Sequence, residues 1–144
     1  MKLRSTSFEH EGMIPVIYSC KGENLSPQLN WDEVPPNVKS FCLVMDDPDA
    51  PSGTWVHWIL TNIGFMTRTI EENSNPPEST IGINSWKKNT YGGPCPPSGT
   101  HRYFFRIYAL DKMLDKKNYS KPELEKAIKN HVVDDAILMG KFTK

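Results

Sequence analysis

Apolar residues gather along this chain in runs too short for helices and too continuous for half-exposed strands. Ser40–Asp46 (SFCLVMD) is an almost unbroken run rich in strand formers, which predicts a buried central strand. Thr54–Ile63 (TWVHWILTNI) predicts a second, with Trp55, Val56, Trp58 and Ile59 packing on both of its faces. His101–Leu110 (HRYFFRIYAL) alternates, so that Tyr103, Phe105, Ile107 and Ala109 share one face of a third. Weaker strand signals fall at Ile14–Tyr18, Gln28–Trp31, Thr67–Ile70 and Thr80–Ile83, and Ala136–Phe142 (AILMGKF) reads as a closing strand.

One helix is predicted, near Ser120–Asn130. Ser120 followed by Glu123 is a capping box, and Pro122 is tolerated in a first turn. Leu124, Ala127 and Ile128 then recur at helical spacing. Elsewhere proline punctuates the chain at Pro35-Pro36, Pro48, Pro51, Pro76-Pro77, Pro94 and Pro96-Pro97. Proline is excluded from helix interiors and central strands, so short elements must be joined by stiff, shaped loops. The long connections between strands argue for Greek-key crossovers rather than a meander. The expected fold is mostly β, one domain over residues 1–144.

Composition narrows the function. Lys+Arg and Asp+Glu are 17 each, giving zero formal net charge. That argues against a nucleic-acid binder and against electrostatic attachment to anionic membranes. No apolar run approaches the ~18 residues of a membrane span, and no apolar stretch follows Lys2 and Arg4 as in a signal peptide, so a cytoplasmic protein without membrane insertion is expected. The cysteines Cys20, Cys42 and Cys95 are odd in number and scattered, which in that compartment predicts reduced thiols. Cys95, between Pro94 and Pro96, reads as an inert structural thiol rather than a nucleophile. No metal-ligand spacing occurs, and no cofactor or metal is expected.

Two segments carry the candidate chemistry. Asp46-Asp47-Pro48-Asp49-Ala50-Pro51 leaves one buried strand in a stiff turn, and Trp55-Val56-His57-Trp58 returns along another. Tyr91-Gly92-Gly93-Pro94-Cys95-Pro96-Pro97 is a rigid loop entering the strand of His101 and Tyr103, which alternation puts on one face. A stiff loop holds a carboxylate near an imidazole at little ordering cost. Such a carboxylate favours imidazolium, and glycine-rich turns expose backbone N–H groups that converge on anions. Imidazolium, tyrosyl hydroxyl and backbone donors together suit a phosphate or carboxylate. The plainer reading of His57 is a core histidine bonded to Asp47 or Asp49. That of Trp55 and Trp58 is core packing, and that of Arg102 is a structural pair with a carboxylate on the face opposite His101.

The order DPDAP, WVHW and GPCPPSGTHRYFF resembles the phosphatidylethanolamine-binding protein family, in its short prokaryotic Raf-kinase-inhibitor-like branch. The likeness extends through Asn24-Leu25-Ser26-Pro27-Gln28-Leu29-Asn30-Trp31, Tyr108-Ala109-Leu110-Asp111 and the helix after Ser120. It implies a sandwich or roll of two antiparallel sheets, with a small anion pocket at one end. Carried over by position, it implies a ligand site of Asp47, Asp49, His57, Gly93, Pro94, His101 and Tyr103, in which a glycine amide of the Gly93-Pro94 rim faces the anion. It also makes Ala50–Pro51 a candidate cis bond. Larger relatives carry a further C-terminal helix bordering the pocket. This chain stops at Lys144, so the resemblance supports the anion pocket more directly than phospholipid selectivity or kinase inhibition. The basic segment Ser85-Trp86-Lys87-Lys88-Asn89 stands outside the branch's pattern and reads as surface variation.

The leading expectation is therefore a non-catalytic binder of phosphate-type groups: a phospholipid headgroup, a phosphorylated small molecule or a phosphorylated partner. A second is an inhibitor of a protein kinase or protease acting through its surface. A third is a metal-dependent hydrolase, since two Asp and two His could bind a cation. A homodimer is compatible with the branch. The expected chemistry is an imidazolium at His57, held by Asp47.

Overall fold

The computed structural model describes Met1–Lys144. Eight strands and one helix follow in the order β1 (Lys2–Arg4), β2 (Leu29–Asp32), β3 (Ser40–Asp47), β4 (Trp55–Gly64), β5 (Thr69–Ile70), β6 (Thr80–Ile81), β7 (Thr100–Leu110), α1 (Lys121–Ile128) and β8 (Val132–Thr143). The strands form two antiparallel sheets, ordered β1-β2-β5 and β6-β4-β3-β7-β8. In the larger sheet β7 crosses over to pair with β3 on the side away from β4, as the long connections predict.

The unbroken apolar run of β3 is explained by its place at the sheet centre, where both faces are covered. Phe41, Leu43 and Met45 point into the main core, with Trp58 and Leu60 of β4 and Phe105 and Ile107 of β7. The small sheet closes that core through Leu3, Leu29, Trp31 and Ile70. Cys42 and Val44 point the other way, against Leu124 and Ile128 of α1. The helix begins as its capping box requires: Glu123 N donates to Ser120 Oγ at 3.3 Å, and Ser120 N donates to Glu123 Oε1 at 3.0 Å. No helix is long and apolar enough to cross a membrane.

Several expectations are corrected. Ile14–Tyr18 is not a strand: Pro15 has no N–H to extend a ladder, and Val16–Tyr18 closes a 3-10 turn. β1 escapes notice in the sequence because Leu3 is its only buried residue. β8 starts at Val132 rather than Ala136, since its pairing with β7 runs from Thr143 opposite Thr100 to Val132 opposite Leu110 whatever the polarity of Asp134 and Asp135. Every peptide bond is trans, Ala50–Pro51 included. Cys20 and Cys95 form a disulfide across 75 positions, so two of the three thiols expected to be reduced are bonded, and Cys42 alone is free, in the core.

Candidate functional site

The alternation of β3 sends its last two carboxylates in opposite directions. Asp46 faces the helix side, where it accepts from Lys121 Nζ at 2.7 Å. Asp47, 3% exposed, faces the core side. The turn beyond is locked twice: Asp49 N donates to Asp47 Oδ1 at 2.8 Å, and the Asp49 carboxylate takes the Arg102 guanidinium through Nε (2.9 Å) and Nη2 (2.8 Å), with Arg102 N at 2.9 Å. Consecutive residues of β7 thus receive the two carboxylates of the turn, His101 taking Asp47 and Arg102 taking Asp49. Arg102 holds the Asp49 carboxyl down at about 2.

His101 Nδ1 donates to Asp47 Oδ2 at 2.6 Å, both side chains being buried. His57, expected to be the partner of Asp47, instead donates from Nδ1 to the Gly92 carbonyl at 2.7 Å. A carbonyl and a carboxylate accept only, so both rings carry a proton on Nδ1 and leave Nε2 for the cavity. Burial pushes the His57 pKa down, and the Gly92 carbonyl and the Asp47 charge only partly offset it. Burial thus disfavours the charged ring before a ligand binds, and the partner expected to hold it, Asp47, is corrected to the Gly92 carbonyl. The cause is the register of β4, which carries His57 to the 91–93 loop rather than to the end of β3.

Between the imidazoles stands Tyr103, fully buried. Its ring centroid lies 5.2 Å from that of His57 and 6.5 Å from that of His101. Its hydroxyl makes no hydrogen bond of ordinary geometry, although the Cys95 amide and the Asp47 carboxylate are near enough to act on it. Burial first, and the Asp47 charge second, push its pKa up, so it is a neutral donor. Asp47, His57, His101 and Tyr103 share the wall of one cavity of about 500 Å³, within the usual size of small-molecule sites.

The other residues named for the site fall elsewhere. Asp49 and Pro94 are not on the cavity wall. Gly93 is, but its N–H is spent on Asn24 Oδ1 at 2.8 Å, and that of Gly92 on the His57 carbonyl at 3.0 Å. The amides of Gly92 and Gly93 are thus satisfied within the protein, against the expectation that a glycine amide of this rim faces an anion. Gly93 is required for close approach: a Cβ there would lie 2.1 Å from the Tyr18 carbonyl oxygen. Trp58 is core, whereas Trp55 is half-buried on the cavity wall.

The residues missed in the sequence come mainly from the basic segment set aside as surface. Asn84, buried, organises it: its Oδ1 accepts from Trp86 N (2.9 Å) and Lys88 N (3.1 Å), and its Nδ2 donates to the Thr90 carbonyl (2.8 Å). An asparagine in a polar turn is the usual signal for such a loop. The result places Trp86 edge-on to His57 (4.9 Å between centroids) and to Trp55 (5.6 Å), with Lys88 on the same wall. Cys20 and Cys95 also border the cavity, both exposed. No three His, Cys, Asp or Glu come together as a metal site requires, and Asp46 and Asp49 are paired with Lys121 and Arg102.

Comparison with known proteins agrees with this architecture. Residues 4–143 match the family described as phosphatidylethanolamine-binding protein. A UPF0098 protein of Methanothermobacter thermautotrophicus is 45% identical over 150 aligned positions, covering 100% of this chain and 99% of the relative. The crystal structure of CT736 from Chlamydia trachomatis, described as a phosphatidylethanolamine-binding protein homologue, superposes with a TM-score of 0.95 at 36% identity, covering 99% of this chain and 97% of that one. That of YbcL from E. coli, described as a new member of the mammalian PEBP family, gives 0.91 at 26% identity over 99% and 98%.

Proposed function

This chain belongs to the phosphatidylethanolamine-binding protein family, and from that footing we propose that it is a non-catalytic binding protein whose cavity takes a phosphate monoester or a similar oxyanion. The observation that carries the reading is the buried Tyr103 hydroxyl, without a hydrogen bond of ordinary geometry and flanked by two imidazoles on the cavity wall. An unpaired buried hydroxyl costs free energy, and an acceptor brought by a ligand removes that cost. Oxyanion oxygens are such acceptors. With its Nδ1 committed to the Gly92 carbonyl, the His57 Nε2 donates to an oxyanion only when protonated, so an anion entering as the dianion draws a proton onto that ring. Asp47 orients His101 for this as an outer-shell carboxylate orients a metal-bound histidine.

Of the two Asp and two His of the hydrolase alternative, Asp49 is held by Arg102 and lies off the cavity wall. For the compartment, the expected cytoplasm and the exposed Cys20–Cys95 bond point in opposite directions, since disulfides persist mainly in oxidising surroundings. Thiol titration of protein taken from its native cell under alkylation decides between them.

The test of the binding function is isothermal titration with orthophosphate, on wild type and His101→Gln. Wild type is expected to bind, and His101→Gln to bind at least about tenfold more weakly, as loss of a hydrogen bond to a charged group requires. A folded wild type that takes up no orthophosphate at millimolar concentration removes the reading.

A further inference from the structure

The cavity is larger than its proposed anchor needs. About 500 Å³ is the space of roughly 17 waters, far more than a single phosphate fills. The remainder must suit whatever the phosphate is attached to, and its wall has a definite electrostatic character. Asp47 is the only carboxylate on it and Lys88 the only lysine or arginine. Asp47 is buried, and its two oxygens accept from His101 Nδ1 at 2.6 Å and from the Asp49 amide at 2.8 Å. Lys88 has no such partner, and the ion pairs of the fold use other cations. Among the lysines, arginines and carboxylates of the wall, Lys88 is therefore the one that is both exposed and without a partner.

Position adds direction. Tyr103 is fully buried and Lys88 exposed, so the wall runs from a deep neutral donor to a cation at the mouth. The loop bearing Lys88 is held in place. Asn84 pins the amides of Trp86 and Lys88, and the Trp86 indole lies against Gly92, where a Cβ would come within 2.4 Å of the ring. Gly92 is also the residue whose carbonyl orients His57, so mouth and anchor are built on one backbone unit.

We propose that Lys88 makes the mouth of this cavity selective for ligands that carry a second anionic group, a phosphate or a carboxylate, a few atoms from the phosphate anchored at Tyr103. The inference rests on the anion-binding function above and names its ligand class. It disfavours phosphoethanolamine-type ligands: their ammonium would meet Lys88, and no unpaired carboxylate on the wall would receive it. The competing possibility for a cation is a ring face of Trp55, Trp86 or Tyr91, and the test includes it.

The experiment is competitive titration of wild type, Lys88→Gln and Lys87→Gln with orthophosphate, pyrophosphate, phosphoglycolate and phosphoethanolamine at fixed pH and ionic strength. Lys87 is exposed, adjacent and off the cavity wall, so its variant makes the same change in net charge without touching the site. Wild type and Lys87→Gln are expected to bind pyrophosphate and phosphoglycolate at least about fivefold tighter than orthophosphate. In Lys88→Gln that advantage should vanish. The ratio of pyrophosphate to phosphoglycolate affinity shows which second anion is preferred. Orthophosphate binding without a bis-anion advantage, or an advantage that survives Lys88→Gln, overturns the role of Lys88 and leaves the anion site standing. Tighter binding of phosphoethanolamine than of pyrophosphate by wild type overturns it in favour of the aromatic wall. Absence of all orthophosphate binding overturns both.

Discussion

The Asp47 carboxylate lies on His101, with Nδ1 to Oδ2 at 2.6 Å, while its other oxygen accepts the Asp49 amide at 2.8 Å. One side chain therefore fixes both an imidazole and the turn that approaches it. An asparagine at position 47 keeps one oxygen and turns an N–H2 toward either His101 or the Asp49 amide, where a donor meets a donor. Asp47→Asn is expected to weaken orthophosphate binding at least about tenfold, although it removes a negative charge from an anion site. Titration of the folded variant checks this; tighter binding than wild type means that Asp47 acts as a bare charge and not as the orienting group.

Tyr103→Phe separates binding from stability. Removing an unpaired buried hydroxyl relieves a desolvation cost, so the free variant should be equally stable or up to about 1–2 kcal/mol more stable. The same change should weaken orthophosphate binding about tenfold or more. Thermal melts with and without phosphate read both effects. A lower melting temperature for the free variant shows that the hydroxyl already has a partner.

The depressed pKa of His57 sets the pH behaviour. The free protein holds this ring neutral where an unfolded histidine, near 6.5, would begin to charge. The unfolded chain therefore binds more protons as pH falls through that region, and the His57 contribution to stability is present above about 6.5 and lost below it. Phosphate binding shifts the other way, because a donating Nε2 needs a proton. Affinity should fall as pH rises through the neutral range, and binding near pH 7 should take up protons. Calorimetry in buffers of different ionisation enthalpy measures the uptake directly, and His57→Gln should reduce it. Zero uptake in wild type contradicts the donor role.

Asp49 is a strut. Its carboxyl is held near about 2 by Arg102, so its contribution to stability is complete above the ordinary aspartate value of 3.8 and is lost as pH falls toward 2. The pair is partly exposed, so the contribution is small. Asp49→Asn should leave orthophosphate affinity at pH 7 within about twofold, in contrast to Asp47→Asn. A tenfold loss would return Asp49 to the ligand site.

The Cys20–Cys95 bond ties the segment after the 3-10 turn to the loop that carries Gly92 and Gly93. Closing 75 positions constrains the unfolded chain by about 2–4 kcal/mol. Both sulfur-bearing residues are exposed, so a reductant reaches them. Reduction, or the double Cys→Ser variant, should lower the melting temperature and weaken orthophosphate binding, because the Gly92 carbonyl that orients His57 is less firmly held. Melts and titrations with and without dithiothreitol, with free thiols counted, check both. Unchanged affinity in the reduced protein limits the bond to stability.

Much of the fold was legible because burial writes itself into residue type. The runs at Ser40–Asp46, Thr54–Ile63 and His101–Leu110 could only be strands covered on one or both faces, and Ser120 with Glu123 could only start a helix. Elements whose stability comes from pairing rather than burial left no such mark, as with Leu3 alone in β1 and the first four residues of β8, Val132–Asp135.

The sequence by itself determined which residue types could meet an anion: histidines beside aromatic strand residues, and carboxylates on a proline-stiffened turn. Only the tertiary structure decided who partners whom. That Asp47 reaches His101 rather than His57, that Asp49 goes to Arg102, that the Gly92 and Gly93 amides are spent internally and that Lys88 lines the cavity all depend on strand register and on loops folding back. The same holds for Cys20 meeting Cys95. Local spacing fixes the direction of a side chain from its own backbone, by alternation or helical period. It carries no information on what another segment, tens of residues away, brings to within 3 Å of it.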